Sequence, residues 1–150
     1  MQPGVTELLT GIKNIIFNTL VPELQTPQAR QEAMYSTILI EHLMARWEIE
    51  GALLIEEHNE LRTLLTQALE VLGEAAGVRE ALDAASTMPP SPRALDAQNE
   101  RMRSQVPAIA RKLPPGSDPR VLELDAALRA YIRNQHRRDR QIVQVGELAW

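Results

Sequence analysis

Cysteine is absent from the chain, and aromatic residues, lysines and histidines are scarce. Without a thiol the protein has no disulfide, no thiolate-bound metal and no cysteine nucleophile. Aromatic residues make up only 3% of the chain, and Lys13 and Lys112 are its only lysines. This composition disfavours a nucleic-acid surface, which stacks bases on aromatic rings and neutralises phosphates with basic side chains.

Long hydrophobic runs and the common catalytic motifs are also missing. No apolar run approaches the roughly 18 residues of a membrane-spanning helix, and the opening MQPGVTELLT lacks a basic stretch. We therefore expect a cytoplasmic protein without a signal peptide or a membrane span. The chain contains no glycine-rich phosphate loop, no nucleophile elbow and no evident Ser-His-Asp set. This favours a protein that is not an enzyme, with no catalytic residue and no cofactor.

Apolar residues repeat every three to four positions from end to end, as they do on the face of a helix. The first segment shows the pattern with Val5, Leu8, Leu9, Ile12, Ile15, Ile16 and Leu20. No stretch alternates apolar and polar residues as a half-buried strand does. The chain has 150 residues, of which 44% are apolar, and this suffices for one domain. We predict an all-α fold, a single-domain antiparallel helical bundle of four to six helices over residues 1–150.

Proline and glycine divide the helical pattern. Pro22 should kink or end the first helix, and Thr26-Pro27 should start the second. A straight helix from Pro27 to Leu72 would be about 70 Å long, which is too long for a compact domain of this size. Gly51 therefore predicts two helices or one strongly bent helix.

Three further breaks follow along the chain. Residues 83–92, DAASTMPPSP, predict a mobile loop, and Ser91-Pro92 predicts the start of another helix, which Pro107 should bend. Residues 114–119, PPGSDP, predict a break before the last helix. The residues of that helix expected to face inward are Val121, Leu124, Leu128, Tyr131, Ile132, Ile142 and Val145.

The net charge of −4 is unevenly distributed. Residues 1–90 hold 5 basic against 13 acidic residues, a net of −8, whereas residues 91–150 hold 11 against 7, a net of +4. In the simpler interpretation, acidic and basic helices lie side by side in one bundle or across a dimer. In the alternative, the basic part binds an anionic partner.

Residues 41–60 are rich in glutamate and contain two of the three histidines. Di-metal bundles use Glu-x-x-His pairs, but other residues stand three positions before the histidines: Leu39, Ile55 and Arg133. The segment EEHNELRTLL, Glu56–Leu65, resembles a helix of hemerythrin-type bundles. Three histidines are too few for the di-iron centre of such a bundle, and we predict no metal site.

The histidines nevertheless remain candidates for binding a small ligand. His58 lies between Leu54 and Leu61 on the apolar face, and the simpler prediction is a buried, hydrogen-bonded histidine. The alternative is a polar pocket that His58 forms with Glu57 and with His42, which requires the chain to turn back near Gly51.

A basic cluster occupies residues 133–140, RNQHRRDR. Arginine suits carboxylate and phosphate groups, so Arg133, His136 and Arg137 are candidates for a small anionic ligand. The simpler interpretation is ion pairing between this cluster and the acidic face of residues 41–60. The overall acidity of the chain argues against nucleic acid.

The two tryptophans receive different predictions. Trp47 falls on the apolar stripe of the second helix and is expected in the core. Trp150 follows Val145 and Leu148, and it is expected to dock onto its own bundle or onto a second subunit. Val145, Leu148 and Trp150 are therefore the predicted interface.

Three segments carry a resemblance to a known family. They are ELLTGIKNIIFNTLVPEL (Glu7–Leu24), ILIEHLMARWEIEGALLIEEHNELRTLL (Ile38–Leu65) and ELDAALRAYIRNQ (Glu123–Gln135). Their order resembles that of a small uncharacterised bacterial family of helical proteins. Members of that family are encoded near aminoglycoside-phosphotransferase-like kinases and acyl-CoA dehydrogenases. The resemblance implies an accessory or partner-binding protein.

Two functions follow from these patterns. The favoured one is a non-enzymatic helical bundle that acts by association, as a homodimer or as the accessory partner of an enzyme. The alternative is a bundle that binds a small anionic ligand or a metal through His42, Glu57, His58 and the basic cluster. We expect no nucleic-acid and no membrane partner.

Overall fold

The computed structural model describes residues 3–73, 75–85, 87 and 91–147, apart from the side chains of residues 76 and 144–147. The chain is 87% helical and has no strand among these residues, which confirms the all-α prediction. The helices are α1 (Val5–Ile15), α2 (Val21–Glu23), α3 (Pro27–Leu72), α4 (Ala76–Ala84), α5 (Pro92–Arg103), α6 (Val106–Lys112) and α7 (Pro119–Glu147). A π-helical segment, Ile16–Leu20, joins α1 to α2. No described helix has an apolar stretch long enough to cross a membrane.

The starts of three helices follow from local sequence. Thr26 Oγ1 accepts a hydrogen bond of 3.1 Å from the Ala29 N–H before α3, and Ser91 Oγ accepts one of 3.2 Å from the Ala94 N–H before α5. Before α7, Asp118 Oδ1 accepts a bond of 2.9 Å from a backbone N–H of the first turn. In each case proline follows the capping residue, where its missing N–H leaves no bond unmade.

Glycine and proline act differently at two other points. The helical backbone of α3 continues through Gly51, so the prediction of two separate helices is wrong. One glycine inside a long helix costs only about 1 kcal/mol, which the remaining hydrogen bonds and contacts offset. Pro107 lies in the first turn of α6, so α5 and α6 are two helices rather than one bent helix. Pro22 lies in α2, and the helix ends directly after it at Glu23, as predicted.

The described chain forms two compact units. We call residues 3–50 with 140–147 the terminal unit, and residues 51–139 the central unit. The predicted mobile loop at 83–92 includes residues 86 and 88–90, which lie outside the described residues. That loop and the single-domain organisation stay predictions.

The terminal unit contains an antiparallel pair of helices, α1 and residues 27–50 of α3. Lys13 Nζ lies 2.8 Å from Glu41 Oε1, and the Thr10 hydroxyl lies 3.9 Å from Met44 Sδ, so the two helices run in opposite directions. The hydrogen bond from Lys13 holds the pKa of Glu41 below its usual range. Among the described side chains of this unit, only Thr37 is buried.

The central unit contains the hydrophobic core. Its buried side chains come from all five helical segments between residues 51 and 139: Leu61, Leu64, Leu65, Ala68, Val78, Ala81, Ala85, Met102, Val106, Ile109, Leu124, Leu128 and Tyr131. Val121 is also buried, as predicted for the last helix, whereas Ile132 is about half-exposed. The core therefore lies on one side of α7 and leaves the neighbouring face of that helix in water.

Candidate functional site

Glu57 is a buried carboxylate at the centre of a polar network in the central unit. Arg103 of α5 binds it with two parallel bonds, from Nε to Oε1 and from Nη2 to Oε2, each 2.9 Å long. The Tyr131 hydroxyl of α7 donates a third bond of 3.0 Å to Oε1. Such paired, charge-assisted bonds offset the free energy that a buried carboxylate loses on leaving water.

Asn99 connects this carboxylate to His58. The Asn99 amide nitrogen donates a bond of 2.9 Å to the Leu54 carbonyl, and it also lies 3.5 Å from Glu57 Oε2. Since the amide nitrogen is a donor there, Asn99 Oδ1 accepts a bond of 3.0 Å from His58 Nδ1. His58 Nδ1 is therefore the donor in this bond, and the buried Nε2 of the same ring has no hydrogen-bond partner among the described residues.

Arg138 organises a second group of charges beside the first. Its side chain is buried, and Nη1 binds Glu60 Oε2 at 2.7 Å and Glu56 Oε1 at 3.2 Å. Its Nε and Nη2 both donate to Gln135 Oε1 at 3.1 Å, and the guanidinium carbon lies 5.7 Å from the centre of the Tyr131 ring. Cation–π attraction adds to the ion pairs at this distance.

The electrostatics of the network keep its groups in fixed protonation states. Burial, reinforced by the neighbouring Glu57 carboxylate, raises the pKa of the Tyr131 hydroxyl well above its ordinary value. The hydrogen bond to Glu57 raises the pKa of Arg103 further above an already high value. At neutral pH the Tyr131 hydroxyl is therefore a neutral donor, and Arg103 is charged.

This network is built to hold helices together. Both oxygens of Glu57 accept hydrogen bonds from donors on α5 and α7. Over the described parts of the chain, no group of three or more His, Cys, Asp or Glu side chains is placed to hold a metal ion. The hydrogen bonds and ion pairs of this network connect α3 to α5 and to α7.

The predicted ligand-binding residues are distributed over different surroundings. Glu57 and His58 share the network, and Arg137 pairs with the exposed Glu56. Arg133 and His136 are exposed on α7 and make no bond to another described side chain. His42 belongs to the terminal unit, where it is half-buried. The predicted pairing of the basic cluster with an acidic face is thus confirmed for two arginines, Arg137 and Arg138, on Glu56 and Glu60.

Three members of the network were not predicted from the sequence as polar partners. Asn99 and Arg103 stand in α5 with no motif around them, and Tyr131 was expected in the core only for its apolar ring. Their bonds to Glu57 connect residues 42, 46 and 74 positions apart. No local spacing rule relates residues so distant in sequence, so this part of the site was invisible before the fold was known.

Two open clefts lie on the central unit, away from the network. The larger, of about 520 Å³, is lined by Gln67, Glu70, Val71, Arg120, Glu123 and Leu124. The other, of about 380 Å³, is lined by Asn59, Arg62, Thr63, Thr66 and Gln67. The larger cleft is lined by both acidic and basic residues, and the other by polar residues and one arginine. Neither has the apolar enclosure that typical small-molecule sites have.

The terminal unit carries the second candidate site, an exposed apolar surface. Fifteen large apolar residues are exposed in the described chain, and twelve of them belong to this unit. We call the eleven on residues 3–50 the apolar surface: Val5, Leu8, Ile12, Ile15, Phe17, Leu20, Met34, Tyr35, Leu39, Leu43 and Trp47. Trp47 was predicted in the core, and that prediction is wrong because the helical period identifies an apolar face without saying whether this chain covers it.

The structure does not describe the side chains of the predicted interface at the end of the chain. Leu148 and Trp150 lie outside the described residues, and so does the side chain of Val145.

No family model, curated protein or solved structure matches the chain. The family resemblance therefore stays a prediction.

Proposed function

We propose that the protein acts by association and has no enzymatic activity, and that its partner is a second copy of the same chain bound through the apolar surface. The observation that carries this proposal is that the central unit buries apolar side chains, whereas the terminal unit leaves its large apolar side chains exposed. Every buried apolar side chain in the described chain lies in the central unit, whereas twelve of the fifteen large apolar side chains left in water lie in the terminal unit. Exposed apolar groups at this density are characteristic of interaction surfaces.

Helix geometry supports a second copy as the partner. Two helices that pack side by side cover one face of each, and the other apolar faces stay in water. A second helical pair supplies the missing faces, since four helices enclose a continuous apolar interior. On α1, the residues Val5, Leu8, Ile12 and Ile15 share one such outer face, separate from the side occupied by Thr10 and Lys13.

The polar network supports the non-enzymatic part of the proposal. Glu57, Arg103 and Tyr131 bond to one another, so the buried carboxylate of Glu57 contributes to the packing of α3, α5 and α7. The alternative, a ligand or metal site at His58 and the basic cluster, stays a prediction. Association with an enzyme, which the family resemblance implies, is the competing proposal, and it is the one that remains if the experiment below finds a monomer.

Sedimentation equilibrium of the full chain over a range of concentrations tests the proposal. We expect a dimer for the wild-type protein and a dissociation constant at least about 100-fold weaker for Leu43→Glu, because a carboxylate in the interface would lose its hydration. Leu122→Glu is the matched control, since Leu122 is 52% exposed and Leu43 is 56% exposed, but Leu122 lies in the central unit. A wild-type chain that stays monomeric at millimolar concentration would disprove self-association.

A further inference from the structure

The larger cleft of the central unit, of about 520 Å³, lies between the last turns of α3 and the first turns of α7. Each helix contributes three lining residues at positions i, i+3 and i+4, which share one face of a helix. They are Gln67, Glu70 and Val71 from α3, and Arg120, Glu123 and Leu124 from α7. The volume falls within the range of small-molecule sites, about 300–1,000 Å³. The chemistry of the lining then determines which ligand fits.

Three charged residues of the lining have no ionic partner in the described chain. The side chains of Glu70, Arg120 and Glu123 are exposed, and none of them bonds to another described residue. The backbone N–H of Arg120 bonds to Asp118 Oδ1 at 2.9 Å, but its guanidinium stays open to a carboxylate. Two carboxylates and one guanidinium give the lining a net formal charge of −1. A ligand that pairs with all three therefore brings two cationic groups and one carboxylate.

The uncharged part of the lining fits the rest of such a ligand. Leu124 is 1% exposed and Val71 is half-buried, and a chain of methylene groups packs well on apolar side chains of this kind. Gln67 Oε1 is buried and has no hydrogen-bond partner among the described residues. An acceptor left in this state is unfavourable, and the terminal amide turns readily about its last bond. An ammonium group in the cleft can supply the donor that this oxygen lacks.

We propose that this cleft binds a free basic amino acid, a molecule with one carboxylate, two ammonium groups and methylene groups between them. Arg120 binds the carboxylate through paired bonds, and Glu70 and Glu123 each bind one ammonium group. A diamine would leave Arg120 without a partner, and a dicarboxylate would meet two like charges. The cleft is separate from the apolar surface, so the proposal goes beyond the proposed self-association and does not rest on it.

Titration of the full chain with L-lysine, followed by amide chemical shifts, tests the proposal. Three analogues each lack one charged group: L-norleucine lacks the side-chain ammonium, 1,5-diaminopentane lacks the carboxylate, and Nα-acetyl-L-lysine lacks the α-ammonium. We expect each analogue to bind at least about tenfold more weakly than L-lysine, because each leaves one charged group of the cleft unpaired. The largest shifts should fall in residues 67–71 and 120–124.

Arg120→Gln assigns the carboxylate to its partner. We expect this variant to bind L-lysine at least about tenfold more weakly and to bind 1,5-diaminopentane no more weakly, since only a carboxylate needs the guanidinium. Arg133→Gln is the matched control, because Arg133 is exposed on the same helix outside the cleft. An unchanged affinity of Arg120→Gln for L-lysine, equal affinities for all four compounds, or no shift at about 20 mM L-lysine would each overturn the proposal.

Discussion

At the scale of single residues, Glu57 determines how the central unit is held together. A buried carboxylate is favourable only when its bonds are complete, since the loss of one partner leaves charge or donors without compensation. Glu57 meets this condition through Arg103, Asn99 and Tyr131, which belong to two helices other than its own. Single substitutions here should cost far more than substitutions of exposed charges.

Glu57→Gln tests this difference. The amide keeps the shape of the side chain but presents an N–H group to a donor, and it leaves Arg103 with the exposed Glu100 as its remaining counter-ion. We expect the free energy of unfolding to fall by about 3 kcal/mol. Asp125→Asn makes the same chemical change at an exposed pair with Arg129, and it should cost less than about 1 kcal/mol. Urea denaturation of both variants gives the comparison. Equal losses would mean that the network contributes no more than a surface pair.

Tyr131→Phe should change both stability and its dependence on pH. At neutral pH the loss of the bond to Glu57 should cost about 1–2 kcal/mol. Because the pKa of Tyr131 is raised in the folded chain, its stabilising effect is complete below the ordinary pKa of 10.0. Above that pH the unfolded chain ionises Tyr131 first, so the free energy of unfolding falls with rising pH by up to about 1.4 kcal/mol per unit.

The phenylalanine variant lacks this alkaline loss, so its stability should approach that of the wild type as the pH rises. Unfolding free energies from about pH 8 to pH 11 measure the slopes. Parallel curves for the wild type and Tyr131→Phe would contradict the role given to the buried hydroxyl.

At the scale of helices, the sequence predicts what is local and misses what is distant. Thr26, Ser91 and Asp118 cap helices through bonds to N–H groups two or three residues ahead, and their positions could be predicted from adjacent letters. The sequence does not predict whether Trp47 and Glu57 are buried, because the burial of each depends on whether another segment covers it. For Glu57 the deciding residues are 42 to 74 positions away, and for Trp47 no part of the described chain supplies the cover.

Substitution by alanine should have opposite effects on stability at Gly51, which lies inside α3, and at Gly73, which follows the end of that helix. Gly51 lies within the helix with open space where a Cβ would stand, so Gly51→Ala should stabilise the protein by about 0.5–1 kcal/mol. Gly73 ends the helix with a φ of +73°, so Gly73→Ala should destabilise it by about 1 kcal/mol through backbone strain. Thermal unfolding of both variants checks the signs. A destabilising Gly51→Ala would indicate that the helix needs a break there.

At the scale of the whole molecule, the buried apolar residues and most of the exposed large apolar residues belong to different units. The central unit contains the buried apolar residues of the described chain, and the terminal unit has one buried residue, Thr37, among its described side chains. A helical pair with so little of its own interior has low local stability. If association supplies the rest of the stability of the terminal unit, that stability must depend on protein concentration.

Amide hydrogen exchange at several protein concentrations measures this dependence. We expect exchange in α1 and in residues 27–50 to become at least about tenfold faster on dilution below the dissociation constant, because opening there is coupled to dissociation. Amides of the core residues Leu61, Leu65 and Met102 should keep their rates, and they serve as the internal reference. Uniform acceleration over both units would show instead that the chain opens as one cooperative whole.

The completeness of the Glu57 network also has an evolutionary consequence. Replacing a whole buried ion-pair set by apolar residues of similar volume is often neutral or stabilising, whereas replacing one member is costly. A lineage that leaves the polar version must therefore cross destabilised intermediates, or change several positions almost at once. We expect Glu57, Asn99, Arg103 and Tyr131 to be inherited together in descendants of a common ancestor, retained as a set or lost as a set.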